Sequence, residues 1–290
     1  NGLSLAYFEW RPECRGLSPT LFLVHATGFH ARVWDLVISH FPTHHVIALE
    51  LRGHGRSALA PFTGWQDFGQ DVTAAVQALE LRGAIGVGHS MGAHAMIHAA
   101  AMMPDSFDRL VLIDPTLFAP DAYLRVPPLR ETPHPVTLRK SHFASAQEMF
   151  DRFVGKTPYG VFQNEALQAY CVHGLLPDPE GTGLHLACAP STEGHIYNTA
   201  RRDRTIYTSI RALKLPVRVI RARASDPSIL PFDTLGSPTW PGIAAEFHQA
   251  EDIHLPHRTH MLPMEDPSLT AELIRSPATA VDSLVPMVTL

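Results

Sequence analysis

Ala84-Ile85-Gly86-Val87-Gly88-His89-Ser90-Met91-Gly92 is the stretch on which the reading of this chain turns. A run of apolar and small residues leads into Gly88-His89-Ser90-Met91-Gly92, a Gly-x-Ser-x-Gly pentapeptide, and residues 91–103 then read as a helix. The pattern predicts a buried strand that turns sharply into a helix, with Ser90 at the corner as a candidate nucleophile. Glycines are needed on either side because side chains would strike the neighbouring strand and helix, and the strained turn holds the serine hydroxyl toward solvent. Three fixed positions recur by chance in about one chain in ten of this length, so the pentapeptide alone is weak. The helix strengthens it, because Gly92-Ala93-His94-Ala95-Met96-Ile97-His98 is apolar nearly all round and small enough to lie close on a sheet.

Outward from that corner the same rhythm repeats. Thr20-Leu21-Phe22-Leu23-Val24-His25, His45-Val46-Ile47-Ala48-Leu49 and Leu110-Val111-Leu112-Ile113 are short unbroken apolar runs, as strands buried on both faces should be. Val217-Arg218-Val219-Ile220 and Asp252-Ile253-His254-Leu255 continue the series, and residues 3–9 alternate like an edge strand. Trp34, Val37, Ile38 and Phe41 fall at helical spacing, as do Phe68, Val72, Ala75, Val76 and Leu79, with that helix closing at Gly83. Asp266 as N-cap and Pro267 in the first turn open a last helix. Strand and helix alternate through short connections, which predicts an α/β fold with a mostly parallel sheet covered by helices on both faces.

The rhythm stops between about Phe118 and Lys214. Pro120, Pro127-Pro128, Pro133 and Pro135 punctuate this region, and three helical segments follow. Ser145 and Glu148 form a capping box ahead of Phe150 and Phe153; the second segment carries Leu167, Tyr170, Cys171, Gly174 and Leu175; the third carries Ile206, Ile210 and Leu213. A Pro/Gly-rich stretch around residues 184–189 reads as the connection between the last two. The division expected is a core of residues 1–117 and 215–290, with residues 118–214 inserted as a helical lid. An insertion between parallel strands emerges at their carboxyl edge, where ligands bind.

Composition excludes several classes. The chain has 290 residues, 45% hydrophobic and 18% charged, with a formal charge of −5, so it offers no basic field for nucleic acid. Cys14, Cys171 and Cys188 are odd in number and far apart, which argues against a disulfide framework and for a reducing, cytoplasmic setting. No apolar stretch approaches the ~20 residues that span a bilayer. The chain starts at Asn1 without Met, so a trimmed leader is compatible with it.

A serine hydroxyl needs a base within hydrogen-bond reach, and the base needs an acid to fix its tautomer. His260, in the loop between the last strand and the last helix, is the expected base. His254, His257 and His260 recur every third residue, but at a strand end their rings diverge and no Cys, Asp or Glu cluster completes a ligand set. No metal site and no cofactor is expected. Asp226, a few residues past residues 217–220, is preferred as the acid; Asp114 at the end of residues 110–113 is the rival, and Asp233 a remoter third. The order Ser90, Asp226, His260 agrees with the chain order of this arrangement. The oxyanion formed in acyl transfer needs two backbone N–H donors. Met91, at a helix start, and Thr27, in His25-Ala26-Thr27-Gly28-Phe29, are the candidates. Phe29, His30 and His89 are expected to line the substrate site.

Taken together, the His25-to-Phe29 loop, Leu51-Arg52-Gly53-His54-Gly55-Arg56-Ser57, the elbow at Ser90, Leu112-Ile113-Asp114-Pro115 and Thr259-His260-Met261-Leu262-Pro263-Met264-Glu265-Asp266-Pro267 make the chain resemble the α/β-hydrolase superfamily over nearly its full length. The resemblance implies about eight strands, Ser90, Asp226 and His260 as triad, and Thr27 and Met91 at the oxyanion hole. Two positions depart from the family pattern: Ala26 stands where it usually has Gly, and Glu50, expected to pair with Arg52, where it usually has Asp. Ser90 argues against the epoxide- and halide-cleaving relatives, which carry aspartate there. The leading expectation is a hydrolase of carboxylic esters with an apolar acyl or aromatic group, acting on a small molecule through an acyl-enzyme. A lactonase or carbon–carbon bond hydrolase on the same triad is the alternative, and a hydrolase-like ligand receptor with little turnover is the alternative of another class. Gly86-Val87-Gly88 is not a dinucleotide fingerprint, because Met91 occupies the place of its third glycine. The sequence is silent on oligomeric state.

Overall fold

The apolar runs become neighbouring strands in the computed structural model, which describes residues 2–125, 133–179, 181–229 and 233–276. Pro127 and Pro128 lie outside the described residues. In chain order the strands are β1 (Tyr7–Trp10), β2 (Leu21–Val24), β3 (Val46–Leu49), β4 (Ala84–His89), β5 (Phe107–Ile113), three short strands β6 (His142–Phe143), β7 (Leu175–Pro177) and β8 (Leu184–Leu186), then β9 (Val217–Arg221) and β10 (Ala250–His254). The main sheet of the described residues has seven strands, ordered β1-β3-β2-β4-β5-β9-β10, with only β1 antiparallel. About eight were expected. The alternating stretch at the N-terminus contributes one edge strand alone, because Ser4 and Ala6 instead accept hydrogen bonds from Ala58 and Glu50, at and beyond the end of β3.

Period-2 geometry explains the unbroken apolar runs. Phe22, Val24, Ile47 and Leu49 face one layer, where α2 (Gln66–Ala78) and α3 (Met91–Met102) pack. Leu21, Leu23, Val46 and Ala48 face the other, with α1 (Asp35–Ser39) and, at the chain's far end, Pro267–Arg275. Both faces are therefore dry, and each fully buried aliphatic or aromatic side chain contributes about 1.5–3 kcal/mol. α3 is buried from Met91 through Ala100, and small residues allow this. A Cβ on Gly69 of α2 would stand 2.5 Å from the His98 Cβ, so the two helices cross in near contact.

Between β5 and β9 the chain forms α4 (Pro120–Leu124), α5 (Ala146–Phe153), α6 (Asn164–His173), α7 (Pro190–Thr199) and α8 (Ile206–Ala212), together with a small sheet ordered β6-β8-β7. Ser145 caps α5 by accepting from the Glu148 N–H, while the Glu148 carboxylate reaches the N–H of Ala144 rather than that of Ser145. Residues 184–189, read as a connection, contain β8, whose three residues are too few to display a period. Within the insertion, Tyr123 of α4, Ile196 of α7 and Ile206 and Ile210 of α8 join the cluster beneath α2 and α3. After β10 come α9 (Leu262–Glu265) and α10 (Pro267–Arg275), and the Asp266 side chain caps α10 at the Leu269 N–H, as expected.

The expected Glu50–Arg52 pair does not form. Arg52 instead meets Asp71 of α2 with Nε and Nη2 at 2.5 and 2.7 Å, both side chains buried. Glu50 accepts from the Arg56 N–H at 2.6 Å and lies 3.2 Å from its guanidinium. The turn through Gly55 (φ 57°) brings the backbone so close to Glu50 that a Cβ there would stand 2.0 Å from its carboxylate. Asp71→Ala leaves Arg52 buried without this carboxylate and is expected to cost about 3–5 kcal/mol. The check is a lower urea midpoint at unchanged slope.

Candidate active site

Ser90 stands between β4 and α3 with φ 55° and ψ −117°, outside the ordinary regions for a residue with a side chain. The two glycines explain why the turn exists. A Cβ on Gly88 would lie 2.4 Å from the Ala93 Cα, and one on Gly92 would lie 2.4 Å from the carbonyl oxygens of Val24 and His25. Backbone bonds hold the corner from β5, since Ser90 N–H donates to Ile113 and the Ser90 carbonyl accepts from Thr116.

From this corner the Ser90 Oγ meets His260 Nε2 at 3.1 Å and Thr116 Oγ1 at 3.0 Å. His260 Nδ1 meets Asp114 Oδ2 at 2.6 Å. The His260 backbone is fixed from behind, because its carbonyl accepts from His89 Nε2–H at 2.8 Å and its main-chain N–H donates to the Leu235 carbonyl at 2.9 Å. Asp114 directly follows β5, and its Oδ1 accepts from the Ala222 N–H at 2.9 Å and from the Ser237 hydroxyl at 2.5 Å. Burial alone would raise its carboxyl pKa, but the bond and charge of His260 outweigh that, with Ser237 and Ala222 adding to the effect, and hold it below the ordinary value.

Asp226 is not the carboxylate beside His260. Its Oδ1 accepts from the N–H and hydroxyl of Ser228 at 2.8 and 2.7 Å, a local turn that keeps the side chain exposed at the cavity rim. Asp233 is engaged by Arg223. His30 and His89 are corrected as well, for neither lines the cavity. His30 is buried against Tyr170, its ring stacked at 5.8 Å and its Nε2 3.1 Å from the Tyr170 carbonyl, and His89 lies under His260. Phe29 does line it.

Thr27 and Met91 are brought together, with Thr27 Oγ1 3.4 Å from Met91 Sδ. Met91 opens α3, so its N–H has no acceptor one turn earlier in the helix. The loop after β2 is shaped by two buried histidines. Gly28, at φ 77°, donates its N–H to His54 Nε2 at 3.0 Å, and Leu51 donates to His25 Nε2 at 3.1 Å. Each ring is therefore protonated at Nδ1, which donates to the Arg52 or Ala26 carbonyl. Burial pushes the His54 pKa down to about 4 and that of His89 to about 3, and lowers that of His25 in the same direction.

These histidines tie stability to pH. As pH falls below the ordinary imidazole value of 6.5, the unfolded chain takes up protons that the buried rings refuse. Stability is thus complete above that value and declines from 6.5 toward about 4 for His54, and toward about 3 for His89. Each ring contributes up to about 1.4 kcal/mol per pH unit in its window. Urea unfolding at about pH 7.5 and about pH 5 should show a lower midpoint in acid. An equal midpoint at both would contradict neutral burial.

A cavity of about 850 Å³ opens above Ser90 and His260, walled by Phe29, Phe153, Tyr159 and Tyr170 and also by Arg139 and Arg201. Arg139 is held by Glu193 at 2.7 Å and by the hydroxyls of Tyr159 and Tyr170 at 3.1 Å. Sequence reading missed this cluster, since its members lie on separate segments of the insertion with no shared motif. It also missed Thr116, whose signal was modest: a hydroxyl two residues beyond Asp114 at the end of the strand beside β4.

An α/β sheet with a serine at a strained strand–helix corner and a histidine and aspartate behind it defines a class of hydrolase-like folds. Residues 21–273 match the model of the alpha/beta hydrolase family, and the chain belongs to it. Lipase LipV of Mycobacterium tuberculosis is 36% identical over 98 residues, 32% of this chain and 36% of that protein. (E)-2-((N-methylformamido)methylene)succinate hydrolase of Acinetobacter baylyi is 33% identical over 116 residues, 39% of this chain and 42% of that protein. The chain thus spans less than half the length of these curated relatives. The crystal structure of E-2-(acetamidomethylene)succinate hydrolase superimposes with a TM-score of 0.70 at 21% identity, covering 94% of each chain, which shows a shared fold. No helix among the described residues is long and apolar enough to cross a membrane.

Proposed function

We propose that the protein is a serine hydrolase that cleaves a carboxylic ester of a small molecule through an acyl-enzyme. The observation that carries this reading is the unbroken line Ser90 Oγ to His260 Nε2 to Asp114, at 3.1 and 2.6 Å. Ser90 attacks the carbonyl carbon as His260 takes its proton, and Asp114, kept ionised, holds the Nδ1–H tautomer and stabilises the imidazolium. The N–H groups of Met91 and Thr27 receive the oxyanion. His260 then protonates the leaving alkoxide, and a water activated by the same ring releases the acid. Residues 118–214 act as the lid. Its aromatic walls, Phe153, Tyr159 and Tyr170, suit an apolar acyl or aromatic group.

A second reading on the same residues places a carboxylate on the substrate. Arg201 supports it, because it lines the cavity with its guanidinium over the ring of Phe118, another lining residue, and relatives carry succinate hydrolase in their names. A fluorophosphonate probe with a Ser90→Ala control tests for an activated serine. A panel of p-nitrophenyl esters of graded chain length, lactones, a vinylogous diketone and an acylaminomethylene succinate then ranks the substrates. Rapid labelling with ester turnover is expected; slow labelling and no turnover would leave the receptor reading, and cleavage of the diketone alone would replace ester chemistry by carbon–carbon cleavage.

A further inference from the structure

His94 and His98 stand at i and i+4 on α3 and therefore share a face. Their Nε2 atoms converge on the same oxygen, Asp203 Oδ2, at 2.9 and 2.5 Å. The side chains of His94 and Asp203 have no exposure and that of His98 only 10%. The ester chemistry uses none of the three. We propose that His94, His98 and Asp203 form a binding site for a divalent transition-metal ion of the zinc type.

The groups behind the three ligands carry the argument. His94 Nδ1 lies 3.3 Å from the Thr116 carbonyl, which can only accept, so a ring that gives up its Nε2 proton to a metal keeps the other proton on Nδ1 and is held there from behind. His98 Nδ1 is held by Ser209 Oγ at 2.9 Å. The other oxygen of Asp203, Oδ1, accepts from the N–H and hydroxyl of Thr205 at 2.9 and 2.6 Å, which leaves Oδ2 as the inward end. Metal-bound imidazoles and carboxylates are held from behind in this way. Without metal, hydrogen bonds from the two Nε2 atoms close the cluster on Asp203 Oδ2, and a cation of this class would take the place of those protons, which metal binding releases.

Size and donor chemistry agree. The three ligand atoms lie within 4.8 Å of one another, and in a tetrahedral zinc site with bonds near 2.0–2.2 Å they would be about 3.3 Å apart. The two Nε2–Oδ2 distances, 2.9 and 2.5 Å, reach that spacing by widening less than about 1 Å each. Two imidazoles and one carboxylate suit zinc and its neighbours, whereas magnesium and calcium favour oxygen alone. Water entering beside His98 fills the fourth position. The bound ion would staple α3 to the turn before α8. It would also stiffen Thr116, whose carbonyl faces His94 and whose hydroxyl faces Ser90. Among histidines the sequence had weighed only His254, His257 and His260 as ligands, and the first two are exposed.

The full chain, stripped with a chelator and dialysed, should bind one equivalent of zinc chloride by calorimetry and gain in thermal midpoint. Cobalt should give the visible absorption of a tetrahedral site. His98→Ala should abolish both responses. Ser209→Ala removes only the hydroxyl behind His98, so it should weaken zinc binding about 10-fold with unchanged circular dichroism. Absence of binding to the wild-type chain, or binding that survives both substitutions, overturns the proposal and leaves a cluster closed by a proton alone.

Discussion

Ser90→Ala should abolish fluorophosphonate labelling and lower kcat on the best ester by about a million-fold. The size of the effect follows from the line of contacts. With the hydroxyl gone, His260 has no oxygen to deprotonate, and the residual rate is whatever the oxyanion donors give to water. The fold should persist, because alanine keeps the β-carbon that the corner already accommodates and loses only the hydroxyl's hydrogen bonds to Thr116 and His260. Ser90→Gly offers a second reading of the same site. It removes the nucleophile equally, but it also relieves a backbone held at φ 55°, so its unfolding midpoint should exceed that of Ser90→Ala by the equivalent of about 1 kcal/mol. Parallel turnover and urea curves separate the two effects, and labelling that survives in either variant would assign the nucleophile elsewhere.

Asp114→Asn should lower kcat about 10,000-fold, while Asp226→Asn should leave it within a few-fold of the parent. An asparagine at 114 can keep its carbonyl on Ala222 and Ser237, and it then presents its NH2 to His260 Nδ1. That donor forces the proton to Nε2, which then points an N–H at Ser90 rather than a lone pair. Asp226, turned onto Ser228 at the rim, has no comparable part to play. The opposite ranking, with Asp226→Asn inactive and Asp114→Asn active, would mean that the loop after β9 rearranges to carry the acid inward. Circular dichroism of both variants guards against a trivial loss of fold.

Much of this was legible in one dimension. The buried strands declare themselves because a strand dry on both faces admits no polar alternation, and Asp266-Pro267 marks the start of α10 because capping is local. Ser90 is equally local, since the glycines at 88 and 92 answer contacts within a single strand–turn–helix unit and the strands beside it. The small sheet of the insertion was not legible, because strands of two or three residues carry no period. Nor was the partner of Arg52, for Glu50 and Asp71 are both acidic and only the course of the turn through Gly55 sends one to Arg56 and the other to Arg52.

The buried strands, the serine corner and the start of α10 follow from short-range rules of period, sterics and capping. The acid does not. β5 and β9 lie side by side, so the carboxyl edge offers Asp114 and the loop bearing Asp226 to the same imidazole. The choice falls to Asp114 because it leaves β5 at φ 43° toward three donors from residues 222–239, while Asp226 satisfies itself two residues away. Competition between a long-range and a local set of hydrogen bonds is settled only when the chain is folded.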